Sequence, residues 1–247
     1  MRCLLLAAGR GTRISRYLGG RPKCTVDVGG YQLIAYTVDM LKRHGVSEVA
    51  LSVGYEQRFV REALCRFDVS FYENPFYDVT NSIASAWFAR DFFRGNDDLL
   101  LMNADVYMDE ALLDELLTAR KSPVLFADDS RREEADYKFK YENGILLKYG
   151  KELMGDDITG EYIGAARIAR EDVPDFVARL ERMISEQKHS LWWENVLYES
   201  SAERPIFVEG THGQFWAEVD YLEDYERILK HRGYRLDAES MRIERLS

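Results

Sequence analysis

Apolar residues arrive in two rhythms along this chain, and the rhythm changes near residue 130. Before that point, short unbroken apolar runs alternate with segments whose apolar positions recur every three or four residues. Residues 3–7 read as a buried strand, and residues 48–53, 69–72, 99–102 and 124–127 repeat that pattern. Between them, 33–44, 57–66, 82–93 and 112–120 carry helical periodicity. The first of these helices stops at Gly45, a residue type that closes helices in a left-handed conformation. Past residue 130 the pattern turns toward alternation. Residues 137–151 alternate around Asn143-Gly144, a hairpin signal. Strands follow at 162–168, 206–208 and 215–219, and helices at 173–184, 192–199 and 222–231.

Strand-helix alternation implies right-handed crossovers and a mainly parallel central sheet flanked by helices, with ligands at the carboxyl ends of the strands. The predicted architecture is α/β, one domain over 1–247 with a small β-rich insertion or lid at about 130–160. The run 128–136 is charged and mixed in sign, which suits a solvated loop or a closing flap. There is no internal repeat, low-complexity tract or linker.

Charge narrows the partners. The formal charge of −10 leaves no basic stripe to replace phosphate counterions, so a nucleic-acid partner is not expected. A small anionic substrate would need a locally basic pocket and a metal. Cys3, Cys24 and Cys65 are odd in number and lack metal-ligand spacing, the pattern of a reducing cytoplasm. No apolar run approaches membrane-spanning length, so no membrane association is expected. No feature of the sequence fixes an oligomeric state.

The chemistry begins where the first strand meets Gly9-Arg10-Gly11, followed by Arg13 and then Pro22-Lys23. Glycines let backbone N–H groups approach phosphates, and the two cations neutralise the remaining charge of a nucleoside triphosphate. A dinucleotide fingerprint would need a third glycine where Ile14 stands, and a Walker loop needs a Gly-Lys-Ser/Thr tripeptide that the chain lacks. Asp105, in Asn103-Ala104-Asp105, falls just past an apolar strand at the lip where a ligand should lie. It and Asp220 are hard carboxylates on separate elements, able to share an octahedral cation that also binds phosphate oxygens. Each is also a residue type that forms turns or caps helices.

The segment Leu6-Ala7-Ala8-Gly9-x-Gly11-x-Arg13 with Pro22-Lys23 resembles the signature loop of the sugar-nucleotidyltransferase superfamily. Segments 74–89, 161–164, 192–195 and 218–220 are similar to its choline-phosphate cytidylyltransferase branch, whose close relatives include phosphoglutamine cytidylyltransferases. The resemblance implies a Rossmann-like nucleotidyltransferase fold. It also implies CTP bound along Leu6, Ala7, Ala8, Gly9, Gly11 and Thr12, with Gly54, Tyr55, Asn103 and Ala104 completing the nucleotide site. Close backbone contacts at Ala7-Ala8 and Gly54-Tyr55 would exclude a purine. Mg2+ on Asp105 and Asp220, with Lys23 and Arg13 as the catalytic cations, follows from the same resemblance. The implied acceptor is a small phosphorylated molecule, phosphocholine first, seated by Asn81, Trp87, Glu161, Tyr162, Trp193, Glu194 and Trp216.

An aromatic cage suits a trimethylammonium group through cation–π attraction, with Glu161 and Glu194 adding negative charge. The same tryptophans at helical spacing also suit a core, and Trp192 and Trp193 must face different sides of a helix. Phosphoglutamine, an aminoalkyl phosphonate, inositol phosphate and a hexose 1-phosphate remain alternative acceptors. An amino-acid acceptor would need a cation for its carboxylate, such as Arg167. A nucleotide-sugar glycosyltransferase is disfavoured because Asn103-Ala104-Asp105 replaces Asp-x-Asp. A nucleotide-sensing module is disfavoured by the presence of Arg13, Lys23, Asp105 and Asp220 together. His44, His189, His212 and His231 show no partner pattern and read as structural or solvent-exposed.

Overall fold

Strand β1, Arg2–Ala7, lies in the interior of a nine-stranded sheet because its side chains are apolar on both faces. Cys3, Leu5 and Ala7 pack on one side and Leu4 on the other, in a computed structural model describing residues 1–11, 13–14, 17–130, 132, 135–237 and 242–246. Its neighbours are β2, Glu48–Val53, and β4, Leu99–Asn103, both parallel to it, with β3, Ser70–Glu73, parallel beyond β2. Helix α1, Leu33–Arg43, returns the chain from β1 to β2, and α2, Gln57–Ala63, from β2 to β3. Gly45 has φ +83°, as a closing glycine requires. Helix α3, Ser82–Phe88, ends earlier than its periodicity suggested, passing into a 3-10 turn at Arg90–Phe93.

The second half of the sheet departs from the parallel expectation. A short strand β5, Val106–Met108, and helix α4, Glu110–Thr118, lead to β6, Val124–Asp128. The pair β7, Lys138–Glu142, and β8, Ile145–Gly150, forms the predicted hairpin, with Asn143 and Gly144 both at positive φ (+52° and +72°). Strand β9, Gly160–Ile168, then inserts between β4 and β6 and runs antiparallel to both. With β10, Phe207–Gly210, the order is β3-β2-β1-β4-β9-β6-β10-β8-β7. The sheet is therefore mixed. An antiparallel insertion leaves no sign in single-strand periodicity, because a strand buried on both faces reads alike in either direction.

Helices α5, Val173–Ser185, and α6, Asn195–Ser200, pack with α3 over one face, while α1, α2 and α4 cover the other. Two elements were not foreseen: β5, which pairs antiparallel with β11, Trp216–Glu218, and a terminal ribbon of β12, Tyr234–Asp237, and β13, Arg242–Arg245, after helix α7, Leu222–His231. Among the described residues no helix is long and apolar enough to cross a membrane.

Candidate active site

The carboxyl ends of β1 and β4 lie side by side, with Leu6 in register with Asn103, and the Ala104 N–H donates to the Leu6 carbonyl at 3.1 Å. A cleft of about 300 Å³ opens there, walled by Leu6, Ala7, Ala8, Gly9 and Gly11 on one side and Asn103 and Ala104 on the other. Asn81, which caps α3 by accepting from Ser82 N–H, also faces this cleft. Tyr77 and Thr80 complete the wall without having been foreseen; they sit in a loop with no periodicity to mark them.

Gly54 and Tyr55 do not line the cleft but support it. A Cβ on Gly54 would lie 2.7 Å from Tyr77 Cβ and 3.0 Å from the Ala8 carbonyl, so glycine is what lets these groups close in. Tyr55 N–H donates to that same carbonyl at 3.1 Å. Gly11 has φ +59°, and a Cβ there would stand 2.4 Å from Lys23 Cγ. The glycine thus gives the turn its left-handed step and clears the path of the Lys23 side chain. Thr12 lies outside the described residues.

Lys23, Asp105 and Asp220 converge. Lys23 Nζ is 3.4 Å from Asp105 Oδ2 and bonded to Asp220 Oδ1, while the Arg13 guanidinium holds Asp220 Oδ2. The β5–β11 ribbon brings these distant acids together: Glu218 stands opposite Val106, and Val219 N–H donates to the Asp105 carbonyl at 3.0 Å. Glu218, unforeseen, joins the other two, one oxygen from each carboxylate lying within 4.8 Å of the rest. Burial and the charges of Asp105 and Asp220 push the Glu218 carboxyl well above its usual range, with Lys23 opposing. Burial works against the Lys23 ammonium, but the same two aspartates outweigh it and hold it charged. Three hard oxygen donors, crowded until one is held uncharged, fit a divalent cation of the magnesium type.

Beyond this cluster a second cleft, of about 340 Å³, is lined by Arg13, Lys23, Glu161, Tyr162 and Glu194. Glu194 borders both clefts and is buried beside the Asn103 amide and the Tyr162 phenol; burial pushes its pKa up to about 8. Three of the tryptophans expected around the acceptor stand elsewhere. Trp193 is fully buried, its N–H donating to Ser82 Oγ and its indole to Asn103 Oδ1, both at 3.0 Å. Trp216 is buried against Asp128, its indole donating at 2.7 Å, and Trp87 lies under the Arg90 guanidinium at 3.9 Å. None of these three lines either cleft.

Trp192 faces both clefts instead, 41% exposed; it and Trp193 lie in the turn before α6 and not within the helix expected over 192–199. Tyr137, Asp136 and Lys151 join it from the hairpin side. Arg167 is far from this cleft in the fold, at the opposite end of β9, bound to Asp98 at 2.6 Å. His44 pairs with Asp114 at 2.6 Å, and His231 with Asp109 at 2.9 Å while stacking on Phe215. All four histidines lie outside the walls of both clefts.

A cleft at parallel strand ends thus opens onto a carboxylate cluster. Residues 3–206 match the profile of the MobA-like NTP transferase domain. The chain belongs to that family. As a MobA-like NTP transferase it is a nucleotidyltransferase enzyme, in line with the superfamily resemblance of its glycine turn. It is similar to the CTP:phosphoglutamine cytidylyltransferase of Campylobacter jejuni, 24% identical over 92% of this chain and 98% of that protein. It is also similar to the choline-phosphate cytidylyltransferase of Streptococcus pneumoniae, at 24% over 94% and 99%. Among solved structures it superposes on the CTP:phosphocholine cytidylyltransferase of Streptococcus pneumoniae with a TM-score of 0.77 at 20% identity, covering 94% of this chain and 98% of that one. The inositol-1-phosphate CTP transferase of T. maritima also gives 0.77, at 18% identity, covering 93% and 95%.

Proposed function

We propose that this chain is a CTP-dependent cytidylyltransferase of the cytoplasm, moving CMP onto the phosphate of a small acceptor that carries an ammonium group and releasing pyrophosphate. Phosphocholine, yielding CDP-choline, is the reference acceptor of this reading. One observation carries it. A cleft at the ends of β1 and β4 and an aromatic, acidic cleft meet at Lys23 and Glu218, residues that border both. The full-length likeness to cytidylyltransferases with phosphorylated acceptors supports the choice of CTP.

The acceptor needs no general base, because a phosphomonoester is already largely dianionic near neutral pH (second pKa about 6). Catalysis then reduces to alignment and charge neutralisation. CTP lies along the turn at Gly9 and Gly11, its base against Ala7 and Ala8. Asp105, Glu218 and Asp220 would hold Mg2+, which supplies charge neutralisation at the phosphates. Lys23, at the junction, orients the incoming phosphate against the α-phosphate, and Arg13 receives the leaving pyrophosphate. Both cations contact Asp220, a carboxylate they would share with the metal. Tyr162, Trp192, Glu161 and Glu194 form the acceptor side, and the insertion from 135 to 160 belongs to the same domain as a lid over it. Pyrophosphate release measured with CTP, UTP, ATP and GTP against a panel of phosphorylated acceptors tests the assignment. CTP with ammonium-bearing acceptors should lead; preference for a hexose 1-phosphate, or for a purine nucleotide, would refute it.

A further inference from the structure

The outer wall of the acceptor cleft carries an ion pair that the proposed reaction leaves unused. Lys151, just past β8, places its ammonium 2.7 Å from Asp136 Oδ2 and 5.6 Å from the centre of the Trp192 ring. Asp136 is held from behind by its own N–H, which donates to Glu161 Oε1 at 2.8 Å, and its carboxylate also lies 4.0 Å from the Arg13 guanidinium. Tyr137, next in sequence, meets the Trp192 ring edge-on at 5.4 Å. All of these residues line the same 340 Å³ cleft.

A cation already sits where an acceptor ammonium would go, over an aromatic face and on a carboxylate. An acceptor bearing only a positive charge competes with Lys151 for Asp136 and brings a second ammonium beside it. An acceptor bearing an ammonium and a carboxylate instead splits the pair and satisfies both halves. Arg167, the cation that sequence offered for such a carboxylate, is committed to Asp98 at the other end of β9. We infer that Asp136 and Lys151 together read a zwitterionic head group, ammonium on Asp136 and carboxylate on Lys151, so that the acceptor class is the phosphorylated derivative of an amino acid. The inference rests on the cytidylyltransfer reading above and replaces its reference acceptor, phosphocholine, with an amino-acid phosphate. Lys151 is then the residue that decides between carboxylate-bearing and plain amine acceptors.

Two matched pairs of acceptors differing by one carboxylate test this: O-phosphoserine against phosphoethanolamine, and O-phosphohomoserine against 3-aminopropyl phosphate. KM from pyrophosphate release with CTP, and Kd from calorimetry of the acceptors alone, are measured for wild type, Lys151→Met and Lys151→Arg. In at least one pair the wild type should prefer the carboxylate-bearing member tenfold or more. Lys151→Met should erase the preference, and Lys151→Arg should restore most of it, which a merely structural lysine would not produce. Equal affinity within both pairs in the wild type, or a preference that survives Lys151→Met, overturns the inference. Absence of pyrophosphate release with every acceptor would sink the transfer reading instead, and the calorimetric ratio would still decide the role of Lys151.

Discussion

The two clefts meet at one lysine yet are built from different materials. The first is built largely from one short stretch of chain, Leu6 to Gly11 at the end of β1, set against the end of β4, with glycines at Gly9 and Gly11. The second is assembled from scattered side chains: Tyr137, Lys151, Glu161, Tyr162 and Trp192, drawn from four separate stretches of chain. Parallel strands end together, so their loops make a cleft whatever the side chains are. An antiparallel insertion such as β9 offers no shared end. Its walls must be assembled residue by residue, and they can change without disturbing the nucleotide side. The lesson is a division of labour between a constant phosphate cradle and a replaceable acceptor wall.

The sharpest test of that division attacks the junction. Asp105→Ala should lower kcat by about 10³-fold and abolish the response to magnesium, with circular dichroism unchanged. Activity and metal response equal to wild type would show that the carboxylate cluster is not the reaction centre. Gly11→Ala probes the backbone side. A β-carbon at φ +59° forces Lys23 aside, and a misplacement of this size should cut turnover by about 10²-fold while acceptor KM changes little. Unaltered kcat in that variant would mean the turn does not steer Lys23.

The adjacent tryptophans separate wall from core. Trp193→Ala should lower stability by about 3–5 kcal/mol, read as a fall in Tm, because it empties a fully buried site. Trp192→Ala should leave Tm near wild type and raise acceptor KM, with CTP KM, which reads the other cleft it borders, rising less. Reversal of the two phenotypes would reverse their assignment.

The smallest effect concerns Glu194. Its folded pKa of about 8 lies above the unfolded carboxylate value, so the folded state holds a proton that the unfolded chain has lost. Its contribution is therefore fully present below the unfolded pKa and is lost as pH rises through 8, at up to about 1.4 kcal/mol per pH unit. Glu194→Gln should raise Tm by a few degrees at pH 9 and hardly at all at pH 5. Equal shifts at both pH values would show that Glu194 is ionised throughout.

Much of the nucleotide side was legible because it is local. Unbroken apolar runs announced β1 and β4, and a glycine able to adopt positive φ announced the turn. Arg13 and Lys23 lie within one short stretch of chain. The hairpin at Asn143-Gly144 was legible for the same reason, its turn type being written in two residues. What only tertiary structure decided is long-range register and side-chain direction. The pairing of β5 with β11 put Glu218 beside Asp105 and Asp220, and no periodicity encodes which strands pair. The entry to α6 turned Trp192 to the cleft and Trp193 to the core, although the two are identical in composition and neighbours in sequence. Periodicity reports that a side chain has a buried and an open side; packing alone decides which neighbour takes each.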